Sequence, residues 1–193
     1  MKKRMKLSIL GVILFIFYII FHFSDYNIKN SKVEAEQYIN EFYDKNDDSS
    51  LSAINDFLNI EIVEWLQLGE SDTWFAHVLF DNKLYGFAIF KEGWNQRLQL
   101  ESVRAEGAIN YREFETNKGF YGVVFGRNPT LNIDQIKVIT ANKQYQFIND
   151  VDTIKTFVKI EKLPEYYTMD TKSTPANFFV YDKEGYIISE GIY

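Results

Sequence analysis

Histidine is scarce in this sequence, which limits the acid–base and metal chemistry that the chain could perform. His77 lies in the apolar run 74–80, and the other histidine, His22, lies in an N-terminal apolar run. A metal site or a catalytic base normally needs several clustered partners. We therefore predict that His77 is a hydrogen-bonded or surface histidine on a strand, with a structural role.

Carboxylate pairs are the second possible source of chemistry. Glu61 with Glu64, and Glu101 with Glu106, could in principle serve glycoside hydrolysis, which needs two carboxyl groups about 5–9 Å apart. Spacing along the chain does not establish that separation. The sequence favours solvated strand residues, and a carboxylate-dependent envelope hydrolase remains an alternative.

A calcium loop is suggested by the acidic run 44–49, in which oxygen-bearing side chains recur. Position six of such a loop would be Ser49 instead of glycine. Position twelve would be Asn55 instead of a bidentate glutamate. We therefore predict a solvated, helix-capping loop without a metal ion.

Other catalytic motifs are missing from the sequence. The glycines of residues 119–126 are not followed by Gly-Lys-Ser/Thr and lie in a strand-like context, so we expect strand and turn glycines. Gly122 is predicted to allow a neighbouring ring or backbone to approach closely. Since the chain has no cysteine and no Gly-x-Ser-x-Gly, we predict no catalytic, cofactor-binding or metal-binding residue.

The N-terminus predicts a membrane anchor. Residues 7–23 contain no Asp, Glu, Lys or Arg, and Lys2, Lys3, Arg4 and Lys6 precede them. At about 1.5 Å per residue the run is roughly 25 Å long, close to a ~30 Å hydrocarbon core. We predict a single pass, with residues 1–6 in the cytoplasm and a linker, 24–30, leading to an extracellular domain, 31–193. A cleaved signal peptide is the alternative, although no small-residue cleavage pattern follows Phe23.

Two short helices are predicted at the start of this domain. Ser31 and Glu34 match a capping box, in which Ser31 caps the helix and Glu34 reaches back. An apolar stripe follows and should dock on a sheet; it comprises Ala35, Tyr38, Ile39, Phe42 and Tyr43. After the acidic run, Leu51, Ile54, Phe57 and Leu58 indicate the second helix.

In the rest of the chain, apolar and polar residues alternate with a period of two, and Asn- and Gly-containing turns divide this pattern into segments. It predicts strands over 60–68, 73–80, 84–91, 96–103, 108–115, 120–126, 133–140, 143–148, 156–161, 176–182 and 186–190. Because helical crossovers have no room, the fold class is α+β, mostly β, with antiparallel meander or sandwich-like sheets. A division into two subdomains would fall near residues 105–107.

Charge and motif content bear on the partners. The net charge is −6, and the four basic residues at the N-terminal tip leave −10 for the remainder. An acidic domain repels phosphate backbones, so we predict no nucleic-acid partner.

The sequences Tyr85-Gly86-Phe87, Tyr121-Gly122-Val123 and Tyr181-Asp182-Lys183 resemble a group of small anchored or secreted β-rich proteins of Gram-positive, Bacillus-type bacteria. This resemblance implies a cell-surface location and carries over no catalytic residue.

These observations lead to one main expectation about function. We predict a non-enzymatic module, held in the cell membrane through residues 7–23, that binds a protein or another envelope component. The alternatives are the carboxylate-dependent hydrolase and a sensor of small ligands or peptides. The sensor would have its pocket between Phe42, Phe57 and the facing strands.

Overall fold

The computed structural model describes residues 11–13, 15–16, 18–19, 25–45, 59–81, 83–140, 145–167 and 176–192. Helix α1 covers Lys32–Lys45. The strands are β1 Ile28–Lys29, β2 Ile60–Gln67, β3 Thr73–Phe80, β4 Leu84–Glu92, β5 Arg97–Ala105, β6 Ile109–Thr116, β7 Gly119–Arg127, β8 Ile133–Ile139, β9 Gln146–Asp150, β10 Thr156–Lys162, β11 Asn177–Asp182 and β12 Ile187–Ile192.

The predicted mostly-β, antiparallel fold class is confirmed, and each predicted strand is present with shifts of a few residues at its ends. The two-residue strand β1 was not predicted and lies inside the predicted linker, where it pairs with β5. The second predicted helix, residues 51–58, lies outside the described residues.

Three antiparallel sheets contain all the described strands. The five-stranded sheet has the order β1-β5-β4-β3-β2, the three-stranded sheet β10-β7-β6, and the four-stranded sheet β12-β11-β8-β9. The chain leaves the five-stranded sheet at Ala105 and enters the three-stranded sheet at Ile109. An apolar core nevertheless joins these two sheets, with Phe75 and Phe87 on one side and Val123 and Phe125 on the other.

The three sheets are stacked, with the three-stranded sheet in the middle. Because side chains alternate along a strand, Val123 and Phe125 of β7 face the five-stranded sheet, and Val124 faces the four-stranded sheet. Both faces of β7 are therefore buried, which explains its almost uninterrupted apolar sequence. The sequence predicted sandwich-like sheets, and the structure adds a third sheet layer.

Helix α1 covers the remaining face of the five-stranded sheet. Ala35 and Ile39 are fully buried there, and Tyr38 and Phe42 pack beside them, so the predicted docking stripe is confirmed for these four residues. The side chain of Tyr43, the fifth residue of the stripe, lies outside the described part of the chain. The cap is also confirmed, since Ser31 Oγ accepts the Glu34 N–H at 3.3 Å. The reciprocal half of the capping box is not formed, because the Ser31 N–H donates to Lys29 O and the Glu34 carboxylate pairs with Lys29 Nζ.

The predicted membrane segment, residues 7–23, is described only in part. Residues 11–13, 15–16 and 18–19 are helical, and Val12, Phe15 and Tyr18 are more than half exposed. No helix within the described residues is long and apolar enough to cross a bilayer.

Candidate functional site

His77 lies on β3 and faces the three-stranded sheet. It is completely buried between Tyr85 and Phe125, with ring centroids 5.2 and 5.5 Å away, and neither ring nitrogen has a hydrogen-bond partner. Burial lowers the pKa of His77 to about 4. The predicted strand location is confirmed, but the histidine is neither hydrogen-bonded nor at the surface, because β3 is an interior strand covered on both faces.

The carboxylate pairs considered in the sequence do not form a site. Glu61 and Glu64 are exposed on β2, where the register shifts between Ile62 and Glu64, and Glu101 is exposed on β5. Glu106 is not a solvated strand residue; its side chain is 13% exposed and pairs with Arg112 Nη2 at 2.6 Å in the connection from β5 to β6.

An acidic cleft of about 330 Å³ lies at the end of the five-stranded sheet, lined by Glu70, Asp72, Glu92, Trp94 and Asn117 among others. Two of its carboxylates already have structural partners. Asp72 accepts from Thr73 Oγ1 at 3.0 Å and lies 3.4 Å from Lys91 Nζ, while Glu92 accepts from Trp74 Nε1 at 2.8 Å. Among the described residues, no group of histidines and acidic side chains could hold a metal ion.

The other two motifs also have structural explanations. Helix α1 continues through Lys45, so the start of the acidic run 44–49 is helical, and residues 46–55 lie outside the described residues. Gly122 does allow a close approach, as predicted. A Cβ at this position would lie 2.8 Å from Tyr111 Oη and 3.3 Å from Phe147 Cζ.

A carboxylate with two tyrosine partners connects β6 to the segment after β10. Glu113 accepts hydrogen bonds from Tyr111 Oη at 2.8 Å and from Tyr167 Oη at 2.5 Å. Burial, followed by the neighbouring carboxylate, raises the pKa of both phenols. Both oxygens of Glu113 are therefore used to hold the fold, and the phenols stay protonated as donors.

The strongest candidate for a functional surface is β12, the terminal strand of the four-stranded sheet. It pairs with β11 on one side, and no described strand pairs with its other side. Tyr186, Ile187 and Ile188 at its start are 71%, 52% and 51% exposed. Proteins usually protect unpaired strand edges, and an edge with large exposed apolar side chains is typical of an interaction site.

The β11–β12 turn holds this edge in place. Asp182 Oδ1 accepts the backbone N–H groups of Glu184 and Tyr186 at 3.1 and 2.8 Å, and Gly185 adopts a φ of +83°. This left-handed conformation suits glycine, which has no Cβ. The turn therefore sets the position at which Tyr186 leads into β12.

The outward face of the four-stranded sheet continues the apolar surface. Phe178 and Val180 of β11 are buried in the core, so Phe179 and Tyr181 face outward. Tyr181 is opposite Ile187, and Phe179 is opposite Lys137, which in turn is opposite Ile148 on β9. Cross-strand partners share a face, so exposed apolar side chains lie at both margins of this sheet.

A β-bulge adds a recess beside the edge. The register passes from Val180–Ser189 to Tyr181–Ile187, which leaves Ile188 as the additional residue. Ile188 lines a cleft of about 360 Å³ with Asn132, Asp182, Lys183 and Glu184. Bulges commonly redirect a side chain, and this one directs an apolar group into a polar recess.

Sequence reasoning predicted the strand over 186–190 but not its role. The available signal was Tyr186-Ile187-Ile188, three consecutive large side chains immediately after a turn. Such a run equally suits a buried strand, and its exposure depends on the strand order.

Comparison of the chain with protein-family models, with curated proteins and with solved structures gives no match.

Proposed function

We propose that this protein is a membrane-anchored, extracytoplasmic module that binds an extended segment of another protein along β12. The single observation that carries the proposal is the unpaired apolar edge of β12, where Tyr186, Ile187 and Ile188 are exposed. The chain is not proposed to be an enzyme, since two of the carboxylates in its acidic cleft, Asp72 and Glu92, are engaged in structural contacts.

The chemistry of the edge favours a polypeptide as the occupant. A terminal strand presents backbone N–H and C=O groups, which an added strand satisfies in a regular ladder. The exposed side chain of Ile187 would then supply an apolar contact on the outward face, and the bulged Ile188 would supply a second one at the recess beside the edge. The −10 charge outside the N-terminal tip favours a partner segment with basic residues.

The anchor supports an extracytoplasmic location for this module. Residues 7–23 are uncharged and follow four basic residues, and the apolar side chains of Val12 and Phe15 are more than half exposed. Exposed apolar helical residues are stable in lipid but not in water.

Site-specific crosslinking tests the binding edge. With a photo-crosslinking residue at Ser189, intact cells should yield a crosslinked protein partner, and the partner after purification should slow hydrogen exchange of the β12 amides. Ile187→Glu, which places a charge in the apolar contact, should lower the crosslinked yield about tenfold.

Ile148→Glu is the matched control, because Ile148 is a similarly exposed isoleucine at the opposite margin of the same sheet. It should leave the yield unchanged. Equal losses in both variants would contradict binding along β12. A crosslinked species of twice the chain's own mass would show that the partner is a second copy of this chain and would contradict a foreign partner.

A further inference from the structure

Large apolar side chains are exposed in two parts of the domain, the four-stranded sheet described above and the opposite side of the molecule. Ile148, Ile187 and Ile188 belong to the four-stranded sheet, and Tyr186 directly precedes its strand β12. Trp94, in the turn between β4 and β5, is 61% exposed, and Val33, in the first turn of α1, is 74% exposed. These last two lie on the side of the molecule formed by the helix and the five-stranded sheet.

The β4–β5 turn lies where the N-terminal segment enters the fold. Asn95 Nδ2 donates to Tyr26 O at 3.2 Å, and Arg97 Nη1 donates to Asn27 O at 2.9 Å. Strand β1 then pairs with the beginning of β5, with Lys29 opposite Arg97. Trp94 therefore directly precedes Asn95, which is hydrogen-bonded to the entering segment.

Chain length places this turn close to the bilayer. The uncharged run ends at Phe23, and only Ser24 and Asp25 separate it from Tyr26. Three steps of about 3.8 Å allow at most about 11 Å between the Cα atoms of Phe23 and Tyr26. If residues 7–23 span the membrane, the β4–β5 turn cannot be far from the surface at which they emerge.

We propose that the β4–β5 turn rests on the external surface of the bilayer and inserts Trp94 into the lipid headgroup region. This inference rests on the anchor in the proposed function. Tryptophan is enriched at membrane interfaces because its ring is apolar and its N–H is polar. The domain would then be held by two contacts, its anchor and Trp94, and would have one preferred orientation.

The charges around Trp94 indicate which lipid surface suits this contact. Glu70, Asp72 and Glu92 line the cleft beside it, while Lys29 and Arg97 flank the entering segment. A surface of mixed sign with nearby acidic groups gains little from anionic lipid. The contact is therefore carried by the tryptophan ring and should form on zwitterionic phosphatidylcholine.

Tryptophan fluorescence in vesicles tests the contact. The full chain is reconstituted in phosphatidylcholine vesicles containing a fraction of lipid with a nitroxide on its headgroup. Part of the wild-type emission should be quenched, and this quenchable part should be lost in Trp94→Phe. Trp65→Phe is the control, because Trp65 stacks on Trp74 within the fold, 5.3 Å between centroids, and should retain the quenching.

Carbonate extraction of the same vesicles separates the two ideas. Equal quenching of the wild type and Trp94→Phe, with both retained in the membrane, would overturn the Trp94 contact and leave the anchor standing. Release of the intact chain by carbonate would refute the anchor and the contact that depends on it. Loss of quenching in both Trp94→Phe and Trp65→Phe would also overturn the assignment to Trp94.

Discussion

At the scale of single residues, His77 shows how burial can control the response of the fold to pH. A neutral imidazole between Tyr85 and Phe125 packs well, but an imidazolium there would have no hydrogen-bond partner. The folded protein therefore resists protonation of His77, whereas the unfolded chain accepts the proton at an ordinary pKa.

His77 should make the protein less stable in mild acid. Its pKa falls from 6.5 to about 4 on folding, so between these values the unfolded state binds more protons and stability declines as the pH falls. The full shift corresponds to a loss on the order of 3 kcal/mol. Urea unfolding of the full chain in detergent micelles, at pH 7 and pH 4.5, measures this loss.

His77→Leu should remove most of this difference between the two pH values, since leucine binds no proton in either the folded or the unfolded state. His22→Leu, at the only other histidine, should leave it intact. The same pH dependence in His77→Leu as in the wild type would show that another group is responsible.

At the scale of secondary-structure elements, the strands were predictable because their signals are local. Period-two alternation and Asn- or Gly-containing turns delimit β2 to β12, and Ser31 marks the start of α1. The assignment of strands to sheets is not local. The almost uninterrupted apolar sequence of β7 suits a strand covered on both faces, but nothing near it indicates which sheets cover them, and β1, with two residues, is too short to produce a pattern.

The structural role of Gly122 was predictable from the sequence, because a glycine inside a strand often marks a close approach. Gly122→Ala should destabilise the fold by about 1–3 kcal/mol, since the added methyl group would collide with the Tyr111 ring at the centre of the stack. Gly107→Ala is the control, because the nearest atom to its Cβ would be 3.9 Å away. Equal unfolding midpoints for the two variants in urea would contradict this account.

At the scale of the whole molecule, the order of the layers separates the attachment point from the candidate binding edge. The N-terminal segment enters at β1 of the five-stranded sheet, and β12 lies in the four-stranded sheet, with the three-stranded sheet between them. Stacked sheets are about 10 Å apart, so the two outer sheets are separated by about 20 Å. The sequence did not predict this separation, since it depends on contacts between distant strands.

The proposed anchor gives a prediction at this scale. Membranes washed with carbonate should retain the full-length chain, because an uncharged segment of this length inserts stably through the bilayer. Immunoblotting and N-terminal sequencing of the retained protein measure this. A released, shorter protein that begins near residue 25 would show that the segment is a cleaved signal peptide, and deletion of residues 7–23 provides the released control.

The two-residue strand β1 has a mechanical consequence for a tethered binding protein. Tension between the membrane and a partner held on β12 would first reach the hydrogen bonds that Tyr26 O and Asn27 O accept from Asn95 and Arg97. It would then reach β1, whose strand pairing with β5 consists of Ile28–Leu98 and Lys29–Arg97. This short pairing would detach before the longer strand pairs of the sheets are loaded. Peeling back residues 28–31 would lengthen the tether by about 14 Å, at up to about 3.6 Å per residue, and so give the domain a compliant connection to the cell.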